Sequence, residues 1–291
     1  MSVNKDKTGP LFIFLSALLW SLSGIFTKFT AWNGICLAGL RGVIAFAAFA
    51  FLMRGKKIHL NTVIIHCAFC YFMQGILFIT ANTLTTAGNA TVLQNVSPLF
   101  IILMNALFNH VKPKKKEIIV CLILFLGVGL TFAGSIGGGS VLGNILALLS
   151  AIFYAGVYFL SKQEGSDMME SLLFGNALYL LLLPYMLTNR TVLSTGFQEW
   201  ILLILIGFLS CFGAWYCFSI GIKHTDALQA GFIALAEPVL APLWTFLAFH
   251  EIPSPLSLAG IILVIVTLVL YNLQSNYPAE DIRPETDTGR Q

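Results

Sequence analysis

Charge is what this sequence has least of. Asp, Glu, Lys and Arg make up only 10% of its 291 residues, against roughly a quarter in a soluble globular domain. So little charge excludes a water-facing surface, and 57% hydrophobic residues with a mean hydropathy of +0.86 place the chain in a bilayer. Catalytic signatures are missing as well: there is no H-E-x-x-H, no G-x-S-x-G, no Walker A loop and no dinucleotide fingerprint. An enzyme, a catalytic residue and a nucleotide cofactor are therefore not expected, and any transport must draw on a solute or proton gradient. The cysteines sit in or at the ends of apolar runs, and the C-x-x-C of Cys67 and Cys70 lacks a second pair or a neighbouring charge. Neither a metal site nor thiol chemistry follows from it. The net charge of +3 is no nucleic-acid footprint either, because in a membrane protein its meaning lies in where the basic residues fall.

What is present is a succession of apolar stretches, and these runs are uninterrupted instead of alternating, which points to helices and not to a barrel. The fold class expected is all-α, a polytopic membrane protein of about ten transmembrane helices. They run from Pro10 to Phe29, Gly34 to Met53, Val63 to Asn82, Asn89 to Asn109, Ile118 to Gly134, Val141 to Ser161, Leu172 to Leu187, Trp200 to Gly221, Ala227 to Phe249 and Leu256 to Leu273. The first run follows Lys5 and Lys7 as a signal peptide would, but no small-residue cleavage site comes after it, so it is expected to stay. "SIGGGSV" reads as a flexible turn. The tail over 274–291 is acidic and proline-containing, with too little apolar surface to fold, and is expected to be disordered. With the amino terminus placed in the cytoplasm, only Lys28 and Arg190 of the 16 lysines and arginines fall outside; Arg41 lies within a span and the rest lie inside. That asymmetry puts both termini in the cytoplasm of an inner (plasma) membrane.

The chain also repeats itself. "GPLFIFLSALLWSLSGIFTK" (Gly9 to Lys28) lies over "GNILALLSAIFYAGVYFLSK" (Gly143 to Lys162), with Leu-Ser-Ala and the final Lys in register and Trp20 over Tyr154. Ala90, Pro98, His110 and Pro113 each recur 140 positions later as Ala230, Pro238, His250 and Pro253. Each copy holds five spans, an odd number, so the two must cross the membrane in opposite senses: an inverted repeat, over residues 9–134 and 141–273. The basic loop "KPKKKE" and its uncharged counterpart "IPSPLS" then fall on opposite sides.

"LSALLWSLSGIFTK" with Arg41 in the next span, its repeat "LSAIFYAGVYFLSK", and "ALQAGFIALAEPVLAPLWTFLAFHEIPSPLSLAGIILVI" together resemble the EamA-type ten-helix exporters of the drug/metabolite transporter superfamily. The resemblance covers about Gly9 to Leu273. It implies two inverted five-helix halves around a central cavity and the movement of small metabolites, such as amino acids or drug-like compounds, by alternating access. Family members often close the fourth span of each half with a Glu; here Glu251 is present, but its counterpart is Val111.

Within that frame, Glu237 lies about 15 Å into its span at 1.5 Å per residue, where a charge must face protein or water. It is either a protonatable carboxylate coupled to transport, a counter-charge for a cationic group, or a carboxyl that holds two helices together. Its first-half counterpart is Ser97. Pro98, Pro238 and Pro242 lack N–H groups and free carbonyls in matched helices, marking a binding site, a hinge or a plain kink. Arg41 lies roughly 10 Å inside its span, to snorkel, to bridge an acid or to meet an anion. Lys28 and Lys162 end their helices. Trp20, Asn82, Gln94, Asn95, Tyr154, Tyr158, Trp215 and Gln229 supply aromatic and amide side chains for a substrate cavity, the expected partners being a small-molecule solute and lipid. The same pattern also allows uptake, or a structural or sensory membrane protein whose polar groups only join helices. The glycine face of the fifth span, Gly127 and Gly129, is a candidate contact for a homo-oligomer.

Overall fold

A computed structural model describes residues 8–23, 32–85, 87–133, 140–238 and 254–274, with the isolated helical positions 240, 244 and 247. Lys28, Pro242, Glu251, Pro253, the glycines of 136–139 and the tail from 275 lie outside the described residues.

Helix is the dominant structure and no strand occurs among the described residues. The helices are α1 (Thr8–Ser21), α2 (Gly34–Leu52), α3 (Thr62–Leu84), α4 (Ala87–Gln94), α5 (Ser97–Phe108), α6 (Lys115–Ala133), α7 (Val141–Leu160) and α8 (Met168–Leu178). A 3₁₀ turn (Tyr179–Leu182) joins α8 to α9 (Leu183–Thr188), and α10 (Arg190–Leu193) follows. A π-helical turn (Gly207–Gly213) sits between α11 (Phe197–Ile206) and α12 (Ala214–Gly221), ahead of α13 (Ala227–Ala234) and α14 (Pro255–Gln274). Among the described residues, six stretches are long and apolar enough to cross a membrane: Gly34–Leu52, Thr62–Leu84, Ala90–Phe108, Val141–Leu160, Met168–Thr188 and Phe197–Gly221. Described helical residues fall in all ten stretches expected from the sequence.

Polar side chains set where several helices begin. Asn33 accepts from the Cys36 N–H at 2.9 Å, Asn61 from Ile64 at 2.9 Å, and Asp167 from Met169 and Glu170 at 2.8 and 3.1 Å. Each satisfies N–H groups that a helix start leaves without an internal partner. Asn33 and Asp167 cap the second helix of the first half and its counterpart in the second.

Packing follows the repeat. α3 runs along α7, and the repeat-related pair α1 and α12 pack in the same way; α3 meets α8 as α2 meets the π turn; α6 lies against α14. Gly127 faces that last contact, since a Cβ there would meet Val264 at 2.8 Å and the Gly260 carbonyl at 3.1 Å, whereas Gly129 has open space around it. Leu11, Phe51, Leu107, Leu122 and Phe197 stand exposed on the outside, an apolar perimeter suited to lipid and costly in water. Near the basic side, Lys162 donates to the carbonyl of Ile222, at the end of another helix and not its own.

Candidate functional site

Residues of α1, α2, α3, α4, α7 and α12, with the 3₁₀ and π turns and Glu237, line one cavity of about 40 Å³. Six of the residues expected to be functional line it: Trp20, Arg41, Gln94, Tyr154, Trp215 and Glu237. Trp20 and Tyr154, related by the repeat, meet edge to face with ring centroids 5.8 Å apart. Trp215 packs edge-on against Trp20 and against Tyr71, at 4.8 Å in each case. Edge-to-face contacts of this kind favour defined ring orientations, so the wall is built ring against ring.

An arginine and a glutamate share this space. Arg41 is 6% exposed, and its Nη2 donates to the Ser210 hydroxyl at 2.9 Å. Its Nε and Nη1 are buried without a partner among the described residues. Ser210 owes its position to the π turn, an irregularity that recurs at functional sites because it re-aims side chains within a helix. Glu237 is 4% exposed and takes no hydrogen bond from a described residue. The two charges lie within electrostatic range of each other but form no direct ion pair.

Helix breaks frame Glu237. The fourth span of the first half is interrupted at Asn95 and Val96, between α4 and α5, and α13 ends at Leu235, 140 positions after Asn95. Pro98 and Pro238, both buried, follow these breaks at the same distance. Pro98 also packs near Gly231 of α13, where a Cβ would stand 3.7 Å from its ring.

Of the other described candidates, Tyr158, Asn82, Asn95 and Gln229 do not line the cavity. Tyr158 stands directly behind the wall and donates to the Tyr154 hydroxyl at 3.1 Å. Asn82 and Asn95 turn their amide N–H groups back to Phe78 and Thr91 carbonyls of their own helices, at 3.1 and 2.8 Å. Gln229 is partly buried in the first turn of α13, where its N–H faces the capping Asp226 carboxylate at 3.4 Å. Gln94 donates to Ser150 at 3.3 Å, tying α4 to α7 at the cavity edge.

Sequence reasoning missed Tyr71, Gln74 and Tyr179. Tyr71 donates to the Asn176 side chain at 3.0 Å and Tyr179 to the Phe72 carbonyl at 3.2 Å. Tyr179 occupies a slot left by Gly42 and Gly75: a Cβ at either position would collide with its ring or its hydroxyl. Tyr71 likewise lies on Gly175, where a Cβ would come within 2.6 Å of its ring. The available signal was this set of glycines inside apolar helices, each permitting a close approach.

Comparison with known proteins places this architecture. A solved crystal structure superposes with a TM-score of 0.70 at 22% identity, over 92% of this chain and 97% of that one, which speaks for the fold alone. An uncharacterized transporter of Clostridium kluyveri is 24% identical over 97% of this chain and 98% of its own length. The pseudopaline exporter CntI of Pseudomonas aeruginosa is 25% identical over 62% of this chain, and the chain spans 64% of that exporter, just under two thirds. The EamA-like transporter family matches residues 7–133 and again 141–273. With nearly its whole length matched in two copies, the chain is a multi-pass membrane protein and belongs to the EamA-like transporter family.

Proposed function

We propose that the protein is a secondary active or facilitative transporter that exports a small metabolite, such as an amino acid or a drug-like compound, by alternating access. The observation that carries this reading is the shared cavity: Trp20 and Arg41 come from one half, Tyr154, Trp215 and Glu237 from the other, and all five meet in one space. A site at the seam of two halves changes its accessible side when the halves rock against each other. The repeats over 9–134 and 141–273 are the rocking bodies, in opposite orientation, with ten spans between them and both termini in the cytoplasm. The matched breaks before Pro98 and Pro238 are the hinges, and Pro242 adds a further freed carbonyl in the same helix. The export direction draws on the relative named as an exporter.

The test is transport by the purified full chain in proteoliposomes, loaded with a pooled library of metabolites and amino acids and followed with and without a pH gradient. Movement of a solute above protein-free vesicles is expected. Absence of movement for every solute, together with cysteines at Ser23 and Ala38 that stay closed to aqueous thiol reagents, would leave a structural or sensory membrane protein.

A further inference from the structure

We infer that the cavity is a two-pole site for a zwitterion, with Arg41 receiving the ligand's carboxylate and Glu237 its ammonium. This rests on reading the cavity as the substrate site and assigns its chemistry.

Arg41 is nine-tenths buried, yet two of its three guanidinium nitrogens have no partner among the described residues. A buried charge left short of hydrogen bonds is costly, and proteins rarely carry one without a use. If Arg41 served only to join helices, its donors would be spent on carbonyls or on an acid; a single hydroxyl, Ser210, holds one nitrogen and so orients the group. Glu237 poses the complementary problem, a carboxyl group 4% exposed that takes no hydrogen bond from a described residue. Were the two charges meant for each other, a direct ion pair would settle both. They instead line the same cavity apart, so each keeps its bonding capacity for something that enters. An anion alone would leave Glu237 without a donor, and a cation alone would leave the Arg41 nitrogens without an acceptor. A molecule carrying both charges answers both, through charge-assisted hydrogen bonds at each end. Trp20, Tyr71, Tyr154 and Trp215 line the same cavity and offer apolar faces for the ligand's remaining carbon skeleton.

The experiment measures binding to the purified full chain in detergent, by quenching of tryptophan fluorescence, with three forms of each common amino acid. These are the free amino acid, its carboxamide, which keeps only the ammonium, and its N-acetyl derivative, which keeps only the carboxylate. At least one free amino acid is expected to bind tenfold or more tighter than both of its derivatives. In Arg41→Gln the carboxamide should bind as well as the parent, and in Glu237→Gln the N-acetyl form should. Arg41→Lys keeps the charge without the planar fork and should retain part of the preference. Equal affinity for the three forms in the wild type overturns the inference, as does binding of none of them; neither outcome depends on a variant folding. Counterflow of the same panel in proteoliposomes separates the two readings. Selective binding without movement removes the transporter and leaves the poles, whereas movement without discrimination among the forms does the reverse.

Discussion

The two halves share a backbone plan and differ in the chemistry placed on it. In the first half the second and third spans are unbroken α-helices, α2 and α3, and they carry Arg41, Tyr71 and Gln74. Their counterparts in the second half are irregular: a 3₁₀ turn interrupts one at Tyr179–Leu182 and a π turn the other at Gly207–Gly213. Both irregularities face Arg41's side of the cavity, the first supplying Tyr179 and the second Ser210 and Cys211. The fourth spans invert this division, since Glu237 belongs to the second half and the first offers Ser97 at the same place. A repeat can therefore keep a helix break in both copies while each copy specialises, one holding the arginine and the other the glutamate.

The sharpest way to break that comparison is to move the carboxylate across it. In Ser97→Glu/Glu237→Ser the repeat geometry returns a carboxylate to the matched position, but on the half that already carries Arg41. Transport is expected to fall as far as in Glu237→Gln, on the order of tenfold to a hundredfold, the worth of one charge-assisted contact at about 1.5–3 kcal/mol. Rates restored to wild type by the double exchange would mean that the halves are interchangeable and that asymmetry has no role.

A smaller effect is expected from removing the π turn. Its extra residue can be deleted, as in a chain lacking Phe208, to return the segment to α-helical register. Ser210 would then rotate away from Arg41, and affinity for the preferred ligand should drop about tenfold while the protein still inserts and purifies as wild type. The same deletion in α3, which has no such surplus residue, should instead abolish folding. Equal tolerance at the two places, measured by yield and by size-exclusion profile, would dissolve the contrast between a regular and an irregular half.

How much of this was legible beforehand follows the same division. Helical stretches could be read because apolar length alone dictates them, and Glu237 and Arg41 because a charge in such a run is rare enough to stand out. Trp20 and Tyr154 were found through the repeat, which set one over the other before their rings were seen to touch. Tyr71 and Tyr179 were not found. Each looks like an interfacial aromatic in a linear sequence, and Tyr179 reaches the cavity only because a 3₁₀ turn precedes Pro184 and two distant glycines leave it room. Asn82 and Asn95 were chosen by residue type, but in a helix an amide also bonds the carbonyl four residues back, and both do so.

That slot for Tyr179 separates packing from chemistry. Gly42→Ala would push a methyl into the face of the ring, and Gly75→Ala would push one against the hydroxyl. Each should cost about 1–3 kcal/mol through overpacking, read as a lower unfolding temperature in detergent. Tyr179→Phe should rescue Gly75→Ala, because it removes the atom in the way, and should not rescue Gly42→Ala. Rescue of both would place the ring elsewhere.

The smallest effect is expected away from the cavity, where the halves meet at the rim. Trp32, just before α2, donates its indole N–H to Thr195 at 2.7 Å and packs edge to face with Trp200 at 5.4 Å. This contact joins the first half to the second without touching either charge. Thr195→Val keeps the shape and removes the acceptor, so stability should fall by about 1 kcal/mol while the ligand preference stays unchanged. A rim contact and a cavity contact of similar geometry would thus be told apart by what they control: the first sets how firmly the halves hold together, the second what they hold. If Thr195→Val altered discrimination among the amino acid derivatives, the rim would be coupled to the poles, and the division between scaffold and site would have to be redrawn along the loop that carries Trp32.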